Sequence, residues 1–276
     1  MDLQDIAKLL ALRKKIFITG YSGGMAHLAS CFSALEIIYT LYMKGIMKYD
    51  PNNPTWSERD RFVLSKGHGA LALYAILCEA GCMAEDEMYT YLKPHCHIGG
   101  EPCSRDMRAI EASTGSLGHG LPIAVGMALG QKIDGSTART FVLVGDGECQ
   151  EGSIWEAAMA GAAMKLDNLV AILDCNRLQK TNQVEETMGY VHWKEKWEAF
   201  GWNVVEVDGH DVDALTRLFH NLEGKGKPTM VLAYTVKGKG VSIMENNPVW
   251  HFKLPNKKEK KVFMEELHIS EAEMEF

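Results

Sequence analysis

With 276 residues, 46% of them apolar, the chain can bury one substantial core or, less readily, two small ones. Its net charge of −7, with lysines scattered except near the C-terminus, leaves no electrostatic footprint for nucleic acid, and no run approaches the roughly 20 apolar residues of a membrane helix. The start, MDLQDIAKLLALRKK, is an acidic-then-basic amphipathic helix rather than a signal peptide, and seven cysteines without framework spacing fit reduced thiols, so the expectation is a cytoplasmic protein that binds neither nucleic acid nor membrane.

Residues 1 to about 18 read as a helix with Leu3, Ile6, Leu9, Leu10 and Ile16 on one side. Gly20, Gly23 and Gly24 then read as a loop and Ser33 to Met43 as a strongly apolar helix, with His27 between them. Phe62-Val63-Leu64 is a predicted strand, and Ser65-Lys66-Gly67-His68-Gly69 turns into a helix from Ala70 to Ala80. Such a helix start can present N–H groups and an imidazole to an anion, or simply cap the helix. A further helix is predicted from Glu85 to Leu92. Beyond it, His95, Cys96, His97 and Cys103 are zinc-ligand types, but no second Cys-x-x-Cys or helical His pair supports them. Glu111 to Gly120 is a glycine-rich loop entering a small-residue helix, Leu121 to Gly130, a generic anion-binding or close-packing device.

Thr140 to Gln179 reads as strand, turn, helix and strand. Phe141 to Val144 is an apolar run of the kind buried on both faces of a parallel sheet, and it meets Gly145-Asp146-Gly147, where the chain turns without Cβ obstruction. A helix from Trp155 to Lys165 and a strand from Leu169 to Leu173 deliver Asp174-Cys175-Asn176 to the same sheet edge, where open parallel sheets bind ligands. A carboxylate at Asp146, a carboxamide at Asn176 and the backbone carbonyl of Leu178 would suit Mg²⁺ holding a diphosphate. Met188 to Phe200 is a Trp-rich helix or loop. The strand Asn203 to Val207, the helix Val212 to Leu222 and the strand Thr229 to Thr235 complete the alternation. The expected fold is a doubly wound, mainly parallel α/β sheet with helices on both faces, forming one domain over residues 1–255. A charged amphipathic tail, 256–276, should cover a neighbour or fray.

The words GDGECQEGSIWEA and LDNLVAILDCNRLQ resemble the thiamin diphosphate motif of transketolases. So, in family order, do HLASCFSALEI, SKGHGALALYAIL, EASTGSLG with GLPIAVGMALG, GWNVVEVDGHD and TVKGKGVSIMENNPVWH. The resemblance implies a diphosphate-binding (PP-type) domain that holds thiamin diphosphate through Mg²⁺, or Ca²⁺ or Mn²⁺, ligated by Asp146, Asn176 and the Leu178 carbonyl, with Gly145 and Gly147 beside the diphosphate. It gives His68 to the diphosphate, His27 to the neighbourhood of the reactive thiazolium, and Gly115, Ser116 and Leu117 to the aminopyrimidine side. It gives His251 to cofactor and substrate, and Glu151, near the cofactor, together with Glu156, to the space between paired sites. Transketolases carry a donor-facing histidine, normally as His-Pro, where this chain reads His97-Ile98-Gly99-Gly100-Glu101, and His97 is taken as its equivalent. His27, His97 and His251 are thus the catalytic candidates. Cys175, His119 and Lys180-Thr181-Asn182 depart from the family pattern.

The resemblance runs from about residue 4 to about 256 and covers only the diphosphate-binding half of a transketolase. It implies a partner, a transketolase C-terminal subunit with the pyrimidine-binding domain, in a heterotetramer of two plus two chains acting on sugars or sugar phosphates, with this chain inactive alone. A subunit like deoxyxylulose phosphate synthase, and a non-catalytic subunit that stabilises a partner, are the alternatives. The alpha subunit of a 2-oxo acid dehydrogenase would share GDG and Asn without the SKGH, HLAS and VKGKGV phrases.

Overall fold

The short apolar runs pair into one five-stranded parallel sheet in the computed structural model, which describes residues 2–180, 182–189 and 192–274. Thr181 of the Lys180-Thr181-Asn182 departure, and Tyr190 and Val191 of the Trp-rich stretch, lie outside the described residues. The strands are β1 (Arg61–Leu64), β2 (Thr140–Gly145), β3 (Leu169–Cys175), β4 (Asn203–Asp208) and β5 (Thr229–Tyr234), in the spatial order β1-β2-β3-β5-β4. Period-two alternation splits their side chains between two cores. Phe141 and Leu143 of β2 enter one with Val170, Ile172 and Val231, while Val142 and Val144 enter the other with Leu169, Ala171 and Leu173.

Helices cover both faces. The first core is closed by α1 (Leu3–Ser22), α2 (Leu28–Met43), α3 (Ala70–Glu79) and, past the short α4 (Glu85–Met88), by residues of later helices. The second is closed by α5 (Gly120–Ile133) and α6 (Gly152–Ala163), then, after the short α7 (Val184–Met188), by Trp197 of α8 (Trp193–Ala199). From β3 the chain skips to the edge strand β4 and returns through α9 (Val212–His220), on the first face, to insert β5. Reversing direction while changing face keeps one crossover handedness.

Several boundaries differ from the sequence reading. Helix α1 runs through Gly20, because a Cβ there would meet Ala26 Cβ at 2.7 Å, so that glycine serves close packing and not a loop. Helix α2 starts at Leu28 rather than Ser33, because it is buried all round and periodicity does not mark its first turn. The 85–92 helix stops at Met88 and gives way to turns that end at Leu92, whose φ is +56°. Within the expected tail, residues 256–274 pack on their own chain. Asn256 caps α10 (Lys257–Glu266) with a capping box to Glu259, and buried Phe263 stacks on Phe17 at 4.8 Å. Among the described residues no helix is long and apolar enough to cross a membrane. All seven cysteines are free.

Candidate active site

Parallel pairing brings the polar strand exits to one edge. Gly145 lies beside Asp174, and Asp174 beside Ala233, so the segments that leave β2, β3 and β5 emerge together, next to the turn after β1. A cleft of about 370 Å³ opens there. Of the residues singled out from sequence, it gathers His27, His68, Gly115, Leu117, Gly145, Asp146, Gly147, Glu151, Asn176, Leu178 and His251. Ser116 and His97 are exposed and do not line it, and the His97 loop reaches the cleft through Glu101. His95, Cys96, His97 and Cys103 form no metal-holding cluster. Glu156 is exposed on α6. Neither Gly145 nor Gly147 has a positive φ; a Cβ on Gly147 would press Gln179 Cβ at 3.1 Å, so close approach rather than turn geometry demands that glycine.

On the acidic side, buried Asp146 accepts hydrogen bonds from the backbone N–H groups of Gly147 (2.8 Å) and Arg177. Among the described residues no lysine or arginine forms an ion pair with it. Burial and then the nearby Asp174 carboxylate push its own carboxyl up. Asn176 donates to Asp174 at 3.1 Å and accepts from the Leu178 N–H at 3.1 Å. The Leu178 carbonyl accepts from the ammonium of buried Lys237 at 2.7 Å. An unpaired buried carboxylate, a carboxamide and a carbonyl that already attracts a cation form a hard-oxygen donor set, which fits a divalent metal such as Mg²⁺.

On the other side three imidazoles converge. The ring centroids of His27, His68 and His251 are 5.2, 5.4 and 5.6 Å apart. His27 stands at the start of α2 and His68 in the turn before α3, while His251 follows Trp250, which is anchored in the first core. Burial, then Lys237 and Lys66, lowers His27 to about 4, and burial, Lys237 and His27 lower His251 to about 3. His68 is held well below the ordinary value by burial and then Lys66. All three are therefore neutral near pH 7, able to accept a proton or to share one. Lys237 is placed 3.1 Å from His251 Nδ1, and its own pKa is lowered by burial and by Lys66.

Sequence reasoning passed over the residues that hold this arrangement together. Glu148 is buried and accepts from Ser65 Oγ (2.5 Å), Gly118 N (2.9 Å) and Gly145 N (3.0 Å), tying three glycine-containing loops together. Lys66 and Asp174 form a buried ion pair. Asp174 also accepts from Ser33 Oγ at 2.6 Å and from Thr235, so it links β3 to α2 and to the exit of β5. Burial raises the Asp174 carboxyl, but Lys66 and these donors outweigh it and the net direction is down. Cys175, the departure beside Asn176, packs into the second core, which leaves Asn176 free to reach the cleft. No sequence periodicity marks these contacts, because all but the Gly145 to Glu148 bond join segments far apart along the chain.

Fold and cleft together define a thiamin diphosphate-binding domain. A family model described as "Transketolase, thiamine diphosphate binding domain" matches residues 17–262. The chain belongs to the transketolase family, as its N-terminal, cofactor-binding part. It is 40% identical over 267 residues to an apulose-4-phosphate transketolase subunit from Actinobacillus succinogenes, a match that covers 96% of both chains. It is also 40% identical over 232 residues to the 6-deoxy-6-sulfo-D-fructose transketolase subunit SqwG of a Clostridium species, covering 83% of each. The transketolase structure from Campylobacter jejuni superposes with a TM-score of 0.87 at 25% identity over 99% of this chain, which spans only 45% of that longer one.

Proposed function

We propose that this chain is the N-terminal subunit of a two-chain transketolase. It binds thiamin diphosphate through Mg²⁺, or Ca²⁺ or Mn²⁺ in its place, and with a partner carrying the pyrimidine-binding domain it moves a two-carbon ketol unit from a ketose, free or phosphorylated, to an aldose. The observation that carries this reading is the convergence of Asp146, Asn176, the Leu178 carbonyl and three neutral histidines on one cleft. Near end-to-end similarity to proteins that are themselves named as transketolase subunits supports the split. The reading includes a two-plus-two assembly of the chains, in the cytoplasm. We read residues 1–255 as one cofactor-binding domain and 256–276 as its C-terminal extension.

In this reading Asp146, Asn176 and Leu178 hold the metal, and His68 with the backbone at Gly145 and Gly147 meets the diphosphate. Gly115, Ser116 and Leu117 flank the pyrimidine side, and Glu151 stands at the cleft rim toward the partner. Bound thiamin diphosphate would supply the carbon nucleophile and the electron sink for ketol transfer. His27 and His251, neutral and with ring centroids 5.4 Å apart, would accept and return hydroxyl protons of the sugar at the reacting end, while His97, the third candidate from sequence, does not line the cleft and has no part in this step. Lys237 would leave the Leu178 carbonyl as the metal arrives.

Calorimetric titration of thiamin diphosphate with Mg²⁺ tests the proposal. Binding is expected to be tight when the chain is mixed with a transketolase C-terminal subunit, and to be lost in Asp146→Ala. An unaltered affinity in that variant would rule out the metal assignment. No binding in the mixture would leave the alternative of a non-catalytic stabilising subunit.

A further inference from the structure

A second cavity, of about 300 Å³, adjoins the cleft and shares His27 and Glu101 with it; Met25, Ala26, Tyr91 and Gly100 complete its wall. None of these is a lysine or arginine. The segment bearing Glu101 is fixed from two sides. The Tyr74 hydroxyl donates to the carbonyls of Gly99 (3.2 Å) and Glu101 (3.0 Å), and Thr114 N–H donates to the Pro102 carbonyl at 3.1 Å. The Glu101 carboxylate itself lies against Gly115, where a Cβ would fall 1.6 Å from Oε2 and where φ is +139°. Among the described residues no protein donor reaches that carboxylate, so a fixed backbone presents an open acceptor beside His27.

We propose that Glu101, and not His97, is the substrate-specificity residue of this loop. Its carboxylate accepts a hydroxyl of the ketose at His27, and the adjoining cavity takes a neutral, hydroxylated carbon segment rather than a phosphate, sulfonate or carboxylate end. This rests on the transketolase reading above. A carboxylate that forms no ion pair binds a hydroxyl well and repels an anion, and Lys66, Lys180 and Lys237 line the shared cleft but not this cavity. The anionic end of a phosphorylated substrate must then be met elsewhere in the assembled enzyme.

The test compares wild type, Glu101→Gln and Glu101→Ala in the assembly with the C-terminal subunit, using two donors: L-erythrulose, which is neutral, and 3-hydroxypyruvate, whose carboxylate is bonded to the reacting carbonyl. For erythrulose, KM should rise about tenfold in Glu101→Ala and less in Glu101→Gln, which keeps an acceptor oxygen. For hydroxypyruvate, KM should fall in both variants, because the repulsion is gone. Thiamin diphosphate titration should be the same in all three proteins. Equal KM values across the series, or shifts of the same sign for both donors, would overturn the assignment. A weakened cofactor affinity in step with KM would make Glu101 a prop for the Gly115 loop instead. Failure of the wild-type assembly to bind thiamin diphosphate would sink the underlying functional reading, and is read separately.

Discussion

Asp146, Glu148, Asp174, Lys66 and Lys237 are buried within one small region, and they tolerate burial in different ways. Lys66 and Asp174 neutralise each other, Glu148 is satisfied by three donors, and Asp146, which among the described residues forms no ion pair, accepts from two backbone N–H groups. Replacing Glu148 by alanine leaves two backbone N–H groups and a serine hydroxyl without their acceptor. It should cost about 2–4 kcal/mol in urea unfolding, and a loss below 1 kcal/mol would show that the three loops are held by other means. The histidines give a pH signature. The unfolded chain protonates them near 6.5, while the folded chain resists until about 4 at His27 and about 3 at His251. Their contribution to stability is therefore full above pH 6.5 and is lost as pH falls from there toward 4. Asp146, whose carboxyl is raised, works in the opposite sense. The urea midpoint should accordingly fall more steeply between pH 6.5 and 4 in wild type than in the His27→Asn, His251→Asn double variant. Parallel curves would show that burial does not keep these rings neutral.

At the scale of elements, the cleft depends on segments that never touch a ligand. Helix α10 packs Phe263 against Phe17 at 4.8 Å and Trp250 at 5.3 Å, and Trp250 immediately precedes His251. Phe263→Ala should destabilise the chain by about 3–5 kcal/mol, the usual cost of emptying a buried aromatic site. Because the segment before His251 loses its anchor, the variant's affinity for thiamin diphosphate should fall as well, measured well below its melting temperature. Retained affinity in a destabilised variant would mean that α10 braces the core without positioning the histidine. The α10 sequence, rich in lysine and glutamate, hid this role. Only Phe263 and Met264 are buried in it, and a single short apolar run, Val262 to Met264, in a charged helix does not announce a docking partner.

For the whole molecule, the prediction concerns completeness. The chain carries metal-ligand types and imidazoles at the ends of β1, β2, β3 and β5, but it spans only 45% of the superposed Campylobacter chain. Alone it should give no measurable ketol transfer. Activity should appear once the C-terminal subunit is added and reach a plateau at a one-to-one ratio of chains. Substantial transfer by the purified chain would contradict the split-enzyme reading, and a plateau at another ratio would contradict the two-plus-two assembly.

The sheet and most of its helices were legible in the sequence, because a parallel strand buried on both faces writes itself as a continuous apolar run, as in Phe141 to Val144 and Leu169 to Leu173. The positions of Asp146 and Asn176 were legible too, since each directly follows such a strand and must emerge at its carboxyl end, and His68 lies in the turn a few residues beyond the end of β1. Tertiary structure alone decided what faces them. The pairing of Lys66 with Asp174, the reach of Glu148 to Gly118 and Ser65, and the arrival of Glu101 rather than His97 at the cleft all join residues distant in the chain. A sequence fixes local periodicity directly. Which two distant segments meet is set only when the sheet register and the two packed cores are formed together.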